Sequence, residues 1–436
     1  MRNRHTYYIK NKKEFTEKLV FWAKKYKHSC LLDSNKQSFK MPKNYFEYEF
    51  LFGVGAHKIC CAENNSFERL KHFYKQNKDW MFGYFSYDLK NETESLRSNN
   101  LDNIEFPNLY FFIPKIIFTT KEEALYIDTF MSKKETNSIV EEIENQYCDE
   151  GFFGGLKIQK RESELEYLEK IKQIKAHIKR GDIYELNYCQ EFFSENVDIN
   201  SEALFCRLNK KSKAPFSAFL SLEDKCLICS SPERFLRKDN QKLLSQPIKG
   251  TRKRSSKKEI DFQLQIELLN SEKDKSENVM IADLVRNDLS KCAEKASVKV
   301  EELFGVYPFE QVHQMISTVT AELSTKYHFV DAIKGAFPMG SMTGAPKKKA
   351  MELIEKFETT KRGLFSGSIG YIKPNSDFDF NVVIRSILYN STKKYLSVMV
   401  GGAITNKSIP KDEYEECLVK IKTILEIVSG EKERAI

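Results

Sequence analysis

Two amphipathic helices dominate the hydrophobic pattern in the second half of the chain. Ser163-x-x-Glu166 has the spacing of a capping box, and the apolar stripe that follows it runs until Gly181, a residue type that commonly ends helices. Pro410 opens the last helix of the chain. The stripes are Leu165, Leu168, Ile171, Ile174 and Ile178 in the first helix, and Tyr414, Leu418, Ile421, Leu425 and Val428 in the second.

The other face of the last helix is charged. Glu413, Glu416 and Lys420 lie at i, i+3 and i+7 and, taken alone, fit a solvated face with salt bridges. The same face continues into Ile424 and Ile427, so we expect another part of the protein to cover it.

Shorter apolar runs predict strands and further helices on both sides of a glycine-rich segment, Asp149–Gly155. The clearest strands are Phe235–Arg237 and Lys242–Leu244, a hairpin with Asp239-Asn240 at its tip. The remaining strands are predicted at Cys30–Ser34, Trp80–Asp88, Phe106–Asp128 (two or three strands), Asp182–Phe192 and Val398–Thr405, and helices at Lys12–Lys25, Asn137–Gln146, Glu277–Leu289 and from Pro346. With 149–155 as linker, we expect an N-terminal region at 1–155 and a catalytic region at 162–430.

Composition narrows the class of protein. A chain of 436 residues with 41% hydrophobic residues can bury a large core, as one large or two interlocked domains. The net charge of +8 is compatible with an anionic substrate. Ten cysteines without a signal peptide predict reduced thiols and a cytoplasmic protein, and no apolar run approaches the 18 residues of a membrane span.

The basic run Lys249–Lys258 carries six cations in ten residues. A nucleic-acid patch is one interpretation, but no interleaved aromatic residues or nucleic-acid motif accompany it. A solvated loop leaving a site is favoured, and no nucleic-acid partner is expected. Cys226-Leu-Ile-Cys229 has no second pair at zinc spacing, so core packing is its interpretation.

Candidate chemistry lies on either side of the predicted hairpin. Glu233 is a carboxylic acid and Lys249 an amine, which could protonate a leaving group and attack the carbon left behind. Simple hairpin pairing does not put both on one face, although Pro232 and Pro247 leave the register open. A surface hairpin with solvated charges is the alternative.

Ordered motifs from residue 165 to residue 430 resemble the chorismate-utilising enzymes, which include the anthranilate, aminodeoxychorismate, isochorismate and salicylate synthases. The matching segments are Ser231-Pro-Glu-Arg-Phe235, Pro247-Ile-Lys-Gly-Thr251, Glu277–Leu289, Gly340-Ser-Met-Thr-Gly-Ala-Pro-Lys347, Gly367-Ser-Ile-Gly-Tyr371 and Ile384-Arg385. The resemblance implies an α/β fold of α+β type, a large two-layer antiparallel β-sandwich flanked by helices.

The same resemblance implies roles for individual residues. Glu233 is the expected general acid and Lys249 the nucleophile, with Mg²⁺ held by Glu277 and Glu416 and, through water, by Asp274 and Glu413. The residues expected to bind the substrate are Gly250, Thr251, Thr343, Tyr371, Arg385, Gly401, Gly402 and Lys420. Ser34 resembles a serine in the Leu-Leu-Glu-Ser strand of this family, where some members bind tryptophan, and marks a possible effector pocket; a structural role is the alternative.

Lysine in Pro-Ile-Lys-Gly-Thr marks the aminodeoxychorismate branch, whereas anthranilate synthases usually carry alanine there. The resemblance therefore implies that chorismate and ammonia, from a glutamine amidotransferase partner, become 4-amino-4-deoxychorismate on the way to 4-aminobenzoate and folate. Anthranilate synthesis is the first alternative, and a non-catalytic or nucleic-acid-binding protein of this fold is the remote one.

Two positions depart from the pattern. Glu185 stands where water-using relatives place a lysine base and ammonia-using relatives usually glutamine, which argues against isochorismate or salicylate synthesis. Gln314 replaces a functional histidine, and neighbouring His313 is not expected to substitute for it.

Overall fold

Antiparallel strands carry most of the architecture. The computed structural model describes residues 2–36, 47–121, 124–149, 151, 155–310 and 312–430. Within these ranges the strands are β1 Asn3–Tyr8, β2 His28–Asp33, β3 Phe50–Ala62, β4 Met81–Phe85, β5 Leu109–Lys121, β6 Ala124–Thr129, β7 Gln159–Lys160, β8 Glu185–Ser194, β9 Phe216–Leu222, β10 Lys225–Ser231, β11 Arg234–Asp239, β12 Lys242–Gln246, β13 Ile248–Lys253, β14 Lys299–Pro308, β15 Val312–Glu322, β16 Gly344–Ala345, β17 Ser368–Ile372, β18 Phe378–Asn381, β19 Ser386–Asn390 and β20 Tyr395–Ile404.

Helices flank these strands. They are α1 Lys12–Ala23, α2 Ser66–Gln76, α3 Lys90–Glu94, α4 Lys133–Glu144, α5 Glu164–Lys179, α6 Ser201–Ser212, α7 Lys258–Asn270, α8 Glu272–Ser290, α9 Phe329–Ala336, α10 Lys347–Phe357 and α11 Pro410–Ser429. The predicted fold class, helices around a large antiparallel sheet, is confirmed. None of the helices within the described ranges is long and apolar enough to cross a membrane.

The sheet separates two large apolar cores, because successive side chains of a strand point to opposite faces. In β10, Leu227 and Cys229 enter one core, and Cys226 and Ile228 enter the other, which also receives α1, α5, α6 and α11. The two cysteines of the C-x-x-C run therefore lie in different cores, which confirms their interpretation as packing residues.

Strands from the two predicted regions pair with each other. β2 pairs with β9, where Ser29 faces Ser221, and β4 pairs with β17, where Gly83 faces Gly370. Both glycines are required by close backbone approach: a Cβ on Gly83 would lie 2.0 Å from the carbonyl oxygen of Tyr110, and one on Gly370 2.0 Å from that of Asp379. Strands of the N-terminal region thus belong to the same sheet as strands of the C-terminal region.

The capping motif and the glycine correctly predicted where helix α5 begins and ends. Ser163 caps α5 in a capping box with Glu166, and Gly181 lies just beyond its end with φ +83°. The placement of Leu165 on the apolar stripe is wrong. It is 79% exposed, because the buried face of α5 is centred on Tyr167, Ile171 and Ile174.

Three further predicted boundaries shift slightly. α8 begins at Glu272 rather than Glu277, and α10 begins at Lys347, with Pro346 as its N-cap. The β11–β12 hairpin turns at Asn240-Gln241, where Asn240 has φ +55°. These are shifts of a few residues, which short-range signals do not resolve.

Candidate active site

Irregular strand pairing brings Glu233 and Lys249 within electrostatic reach of each other. Glu233 directly precedes β11, and its carbonyl oxygen accepts a hydrogen bond from the amide of Val382. β13 pairs with β15 in a register that shifts between Ile248 and Thr251, and Gly250 has φ +91° inside that irregularity. The β11–β12 hairpin is irregular as well, with a register shift between Arg234 and Arg237, so the regular pairing that would have kept the two side chains apart does not apply.

Glu233 has the properties of an acid that keeps its proton. It is 5% exposed. Burial raises its pKa to about 7, although Ser341, Lys249 and the backbone at Ile248 act in the opposite direction. A large share of Glu233 is therefore protonated at neutral pH, as a general acid requires.

Lys249 is held as a cation. Its Nζ donates a hydrogen bond to Oε1 of Glu185 at 3.0 Å; Glu185 is buried and Lys249 is half-buried. Burial acts to lower the pKa of the amine, but carboxylates outweigh it and the net pKa lies above its usual value. Glu185 contributes most to this effect, followed by Glu277 and Glu233.

Helix α8 contributes two of the predicted metal ligands. Ser271 caps the helix by accepting a hydrogen bond from the amide of Asp274, which fixes the first turn. Burial raises the pKa of Glu277 to about 7 and outweighs the opposing charge of Lys249. Asp274 forms an ion pair with Arg252 at 2.9 Å, so its carboxylate already has a cation partner.

Helix α11 contributes the other two. Glu413 is buried, and burial raises its pKa; its nearest basic group is Lys273 on α8, 4.0 Å away. Burial also acts on Glu416, but the ion pair with Lys420 at 2.8 Å outweighs it and lowers the pKa. The charged face of α11 is thus partly covered, as its flanking isoleucines predicted, and Ile424 is buried.

Lys420 connects this face to strand β20. Its Nζ donates a hydrogen bond to the carbonyl oxygen of Gly401 at 2.9 Å. A Cβ on Gly402 would lie 3.3 Å from Oε2 of Glu413 and 3.7 Å from Nζ of Lys420, so glycine leaves the backbone of β20 open toward both charges. Gly402 and Lys420, both predicted to bind substrate, therefore lie close together.

These carboxylates fit a hard divalent cation with water in its shell. Glu277 on α8 and Glu416 on α11 both interact electrostatically with Lys249, so the two helices present these carboxylates to the same lysine. Within the described ranges, however, no three His, Cys, Asp or Glu side chains come close enough to form a closed metal cage. Mg²⁺ keeps several waters and takes few protein ligands, so an open set of oxygen donors suits it better than it suits Zn²⁺.

Arg385 is a half-buried cation without a partner in the described part of the chain. It has φ +50°, and its carbonyl oxygen accepts a hydrogen bond from the amide of Ser230, three residues before Glu233. Burial alone lowers the pKa of its guanidinium. A partly buried charge of this kind is costly unless an anion neutralises it.

The structure also shows the surroundings of Thr343 and Thr251, two further residues predicted to bind substrate. Thr343 is fully buried, and its hydroxyl donates to the carbonyl oxygens of Met339 and Gly340, while its own carbonyl accepts from the amide of Asn187. Its loop therefore lies against β8, the strand that begins with Glu185. Thr251 is exposed and faces Gln314 across the sheet.

Tyr371 lies beside Ser34 rather than beside the Lys249 cluster. Both line a pocket whose walls also include Tyr48 and Phe216. The ring of Tyr371 lies 5.7 Å from that of Trp80. The hydroxyl of Ser34 donates to the carbonyl oxygen of Glu49. The structure thus groups the predicted effector residue with a residue predicted to bind substrate.

Sequence reasoning missed the partner of Lys249. Glu185 was singled out only as a departure, and nothing in its local sequence indicated an ion pair with a residue 64 positions away. Two cations of the basic run form ion pairs, Arg252 with Asp274 and Arg254 with Asp261. The prediction of a loop is wrong for most of the run, because residues up to Lys253 belong to strand β13 and Lys258 begins α7.

The sequence model of a family described as chorismate binding enzyme matches residues 5–426. The chain belongs to this family. It is 36% identical over 351 residues to aminodeoxychorismate synthase component 1 of Escherichia coli (strain K12), a match that covers 79% of this chain and 75% of that protein. It is 31% identical over 349 residues to anthranilate synthase component 1 of Saccharolobus solfataricus, with 80% of each chain covered.

A crystal structure of anthranilate synthase component I from Streptococcus pneumoniae shares the chorismate-binding fold. Its TM-score is 0.77 at 25% sequence identity, with 85% of this chain and 91% of that chain covered. Of the two named activities, the aminodeoxychorismate relative is the more similar in sequence, in agreement with Lys249 in the Pro-Ile-Lys-Gly-Thr segment.

Proposed function

We propose that the chain is component I of an aminodeoxychorismate synthase, which converts chorismate and ammonia to 4-amino-4-deoxychorismate for 4-aminobenzoate and folate synthesis. The observation that carries this proposal is Lys249, a half-buried lysine within electrostatic reach of Glu233, a buried acid whose pKa is raised to about 7. The similarity to aminodeoxychorismate synthase component 1 supports it. An amine at this position is what distinguishes this branch from the anthranilate branch.

The two residues divide the chemistry between them. Glu233, with its pKa near 7, donates its proton to the C4 hydroxyl of chorismate, which leaves as water. Lys249, once neutral, forms a bond to C2 as both conjugated double bonds of the ring shift and the C4–O bond breaks. Ammonia then bonds to C4, both double bonds shift back, and the lysine amine leaves C2.

We propose that Glu277 and Glu416 hold Mg²⁺, with Asp274 and Glu413 reaching it through water. The raised pKa values of Glu277 and Glu413 support this role, because buried carboxylates gain most from a cation. When bound, Mg²⁺ supplies Lewis-acid polarisation and a fixed position for the ring carboxylate of the substrate.

The substrate is a dicarboxylate and needs cations and backbone donors. We propose Arg385 and Lys420 as its cationic contacts, since the first is half-buried without a partner in the described part of the chain and the second lies beside Gly402. Backbone amides at Gly250, Thr251, Gly401 and Gly402 complete the set, and Thr343 shapes the loop against β8.

Ammonia has to come from elsewhere. The chain carries no Gly-x-Cys-x-Gly nucleophile motif with a partner histidine, so we propose a separate glutamine amidotransferase subunit as its source. Eight cysteines, Cys30, Cys60, Cys61, Cys189, Cys226, Cys229, Cys292 and Cys417, are free thiols, which agrees with a reducing cytoplasm as the site of action. The pocket at Ser34 is proposed as an effector site distinct from the Lys249 cluster.

Product analysis tests the function. The enzyme is incubated with chorismate, Mg²⁺ and ammonium at mildly alkaline pH, and the product is identified by mass spectrometry with and without an added 4-aminobenzoate-forming lyase. We expect 4-amino-4-deoxychorismate, and 4-aminobenzoate once the lyase is present. Anthranilate as the product would assign the chain to the alternative branch, and no product from chorismate would overturn the assignment as an enzyme.

A further inference from the structure

The contact between Lys249 and Glu185 creates a chemical problem for the proposed reaction. An ammonium group has no lone pair, so Lys249 cannot bond to carbon until it loses a proton. The pair is largely buried, with the side chain of Lys249 11% exposed and that of Glu185 1% exposed. Direct loss of the proton to solvent is therefore restricted in this state.

Four carboxyl groups interact electrostatically with Lys249, those of Glu185, Glu233, Glu277 and Glu416. Glu233 has to deliver a proton to the leaving hydroxyl, so it is not free to accept one. Glu416, like Glu277, is a proposed metal ligand, and both act on Lys249 through their charge. Glu185 forms the only hydrogen bond to Nζ within the described part of the chain, at 3.0 Å.

The carboxylate of Glu185 is poorly stabilised as an anion. Its second oxygen, Oε2, is buried and has no hydrogen-bond partner among the described residues. A buried ion pair pays a desolvation cost that is repaid only when the remaining lone pairs are satisfied. Movement of one proton from Nζ to Glu185 replaces the two charges of the pair by two neutral groups.

We propose that Glu185 is the base that accepts the proton of Lys249 and so converts the resting ammonium into the nucleophilic amine. This inference rests on the proposed function and adds a catalytic residue to it. It also gives Glu185 a role that glutamine, the usual residue at this position in ammonia-using relatives, could not perform, because an amide does not accept a proton.

The protons balance through the cycle. Lys249–NH₃⁺ and the Glu185 carboxylate become Lys249–NH₂ and a neutral Glu185. The amine bonds to C2, the hydroxyl leaves C4 with the proton of Glu233, and the adduct nitrogen carries a positive charge. Ammonia bonds to C4 and Lys249 leaves as a neutral amine. Glu185 then returns its proton to Lys249, and the new C4 ammonium reprotonates Glu233.

The test compares Glu185→Gln with wild type in single-turnover formation of the Lys249 adduct. Ammonia is withheld, chorismate and Mg²⁺ are supplied, and the increase in protein mass is followed with time at several pH values. The ratio of the two rates is used, because titration of Glu233 affects both proteins alike. Glu195→Gln, which removes the same charge from an exposed position just beyond the end of β8, is the matched control.

In Glu185→Gln the side chain hydrogen-bonded to Nζ can no longer accept a proton, and solvent has to take it. We expect a rate ratio of about one tenth or less at neutral pH, rising with pH up to about tenfold per unit. Glu185→Asp, which keeps a carboxylate, should give a ratio that does not change with pH. Chorismate binding and thermal unfolding check that both variants fold.

A Glu185→Gln ratio near or above one at neutral pH would mean that Glu185 only holds the ammonium, and would overturn the inference. A low ratio that is constant with pH would assign Glu185 to orientation of Lys249 and overturn it as well, as would a ratio for Glu185→Asp that rises with pH. Product identity is measured separately, so 4-amino-4-deoxychorismate from wild type leaves the proposed function intact in each case.

Discussion

Nζ of Lys249 and Oε1 of Glu185 are 3.0 Å apart in the interior, and the two residues are 64 positions apart in the chain. Among the groups that raise the pKa of Lys249, Glu185 contributes most. Replacing one of them therefore tests both the catalytic role of Lys249 and the cost of leaving a charge without its partner.

Lys249→Ala should remove the covalent adduct and most of the activity, with partial rescue by high ammonia attacking the substrate directly. The variant should also be destabilised by roughly 3–5 kcal/mol, because Glu185 is left buried and unpaired. The double variant Lys249→Ala/Glu185→Gln should recover most of that stability and none of the adduct. Chemical denaturation and intact-protein mass spectrometry give the two readouts; an adduct in either variant would exclude Lys249 as the nucleophile.

Glu233→Gln should lose activity but gain stability at alkaline pH. The folded-state pKa is about 7 against an ordinary 4.5, so folding binds extra proton between these values and stability falls as pH rises through them. Above about pH 7 the ionised, buried Glu233 costs on the order of 2–3 kcal/mol, which glutamine avoids. Below about pH 4.5 both forms are protonated and the difference should vanish. Equal melting temperatures at pH 8 would show that burial does not raise the pKa of Glu233.

The pH profile of wild type follows from the same group. Since Glu233 acts as an acid, adduct formation should decrease as pH rises above about 7. Stopped-flow or quenched single-turnover measurements without ammonia isolate this step from the titration of ammonium. A rate that increases through this range would assign the acid role to another group.

Removal of metal should abolish turnover. EDTA should remove activity and Mg²⁺ restore it, and Glu277→Gln and Glu416→Gln should each lose most of the activity because each removes an oxygen donor with its charge. Glu272→Gln is the matched control, since its side chain lies on the same helix as Glu277 and is 86% exposed. Near wild-type activity in either ligand variant would mean that the residue does not hold the metal.

Two arginines should respond in opposite ways to substitution by methionine. Arg385→Met removes a guanidinium without a partner in the described structure, so we expect at least a tenfold rise in the KM for chorismate and no loss of melting temperature. Arg362→Met breaks an ion pair with Glu358 at 2.6 Å, both side chains being at most 2% exposed, and should be strongly destabilising. An unchanged KM in Arg385→Met would remove Arg385 from the substrate site.

The nitrogen source should distinguish the isolated chain from its complex. Alone, the protein should use ammonium salts and not glutamine, because its sequence contains no motif for glutamine hydrolysis. Addition of a glutamine amidotransferase subunit should confer activity with glutamine. Turnover of glutamine by the purified chain alone would contradict the proposed partner.

The sequence by itself determined the features that depend on neighbours along the chain. Ser163 with Glu166, Gly181 and Pro410 placed the ends of α5 and α11 because capping and φ restrictions act over a few residues. The ordered motifs around Glu233, Lys249 and Glu277 identified the family, and the charged face of α11 was visible from its 3.6-residue period.

Only the tertiary structure decided how these residues meet. The register shift in β13 depends on how the strand after Pro247 pairs with β15, and it overrides the simple alternation that separated Glu233 from Lys249. The ion pair with Glu185 and the grouping of Tyr371 with Ser34 join segments far apart in the chain. Burial sets the pKa of Glu233, and burial is a property of the packed sheet that no local pattern contains.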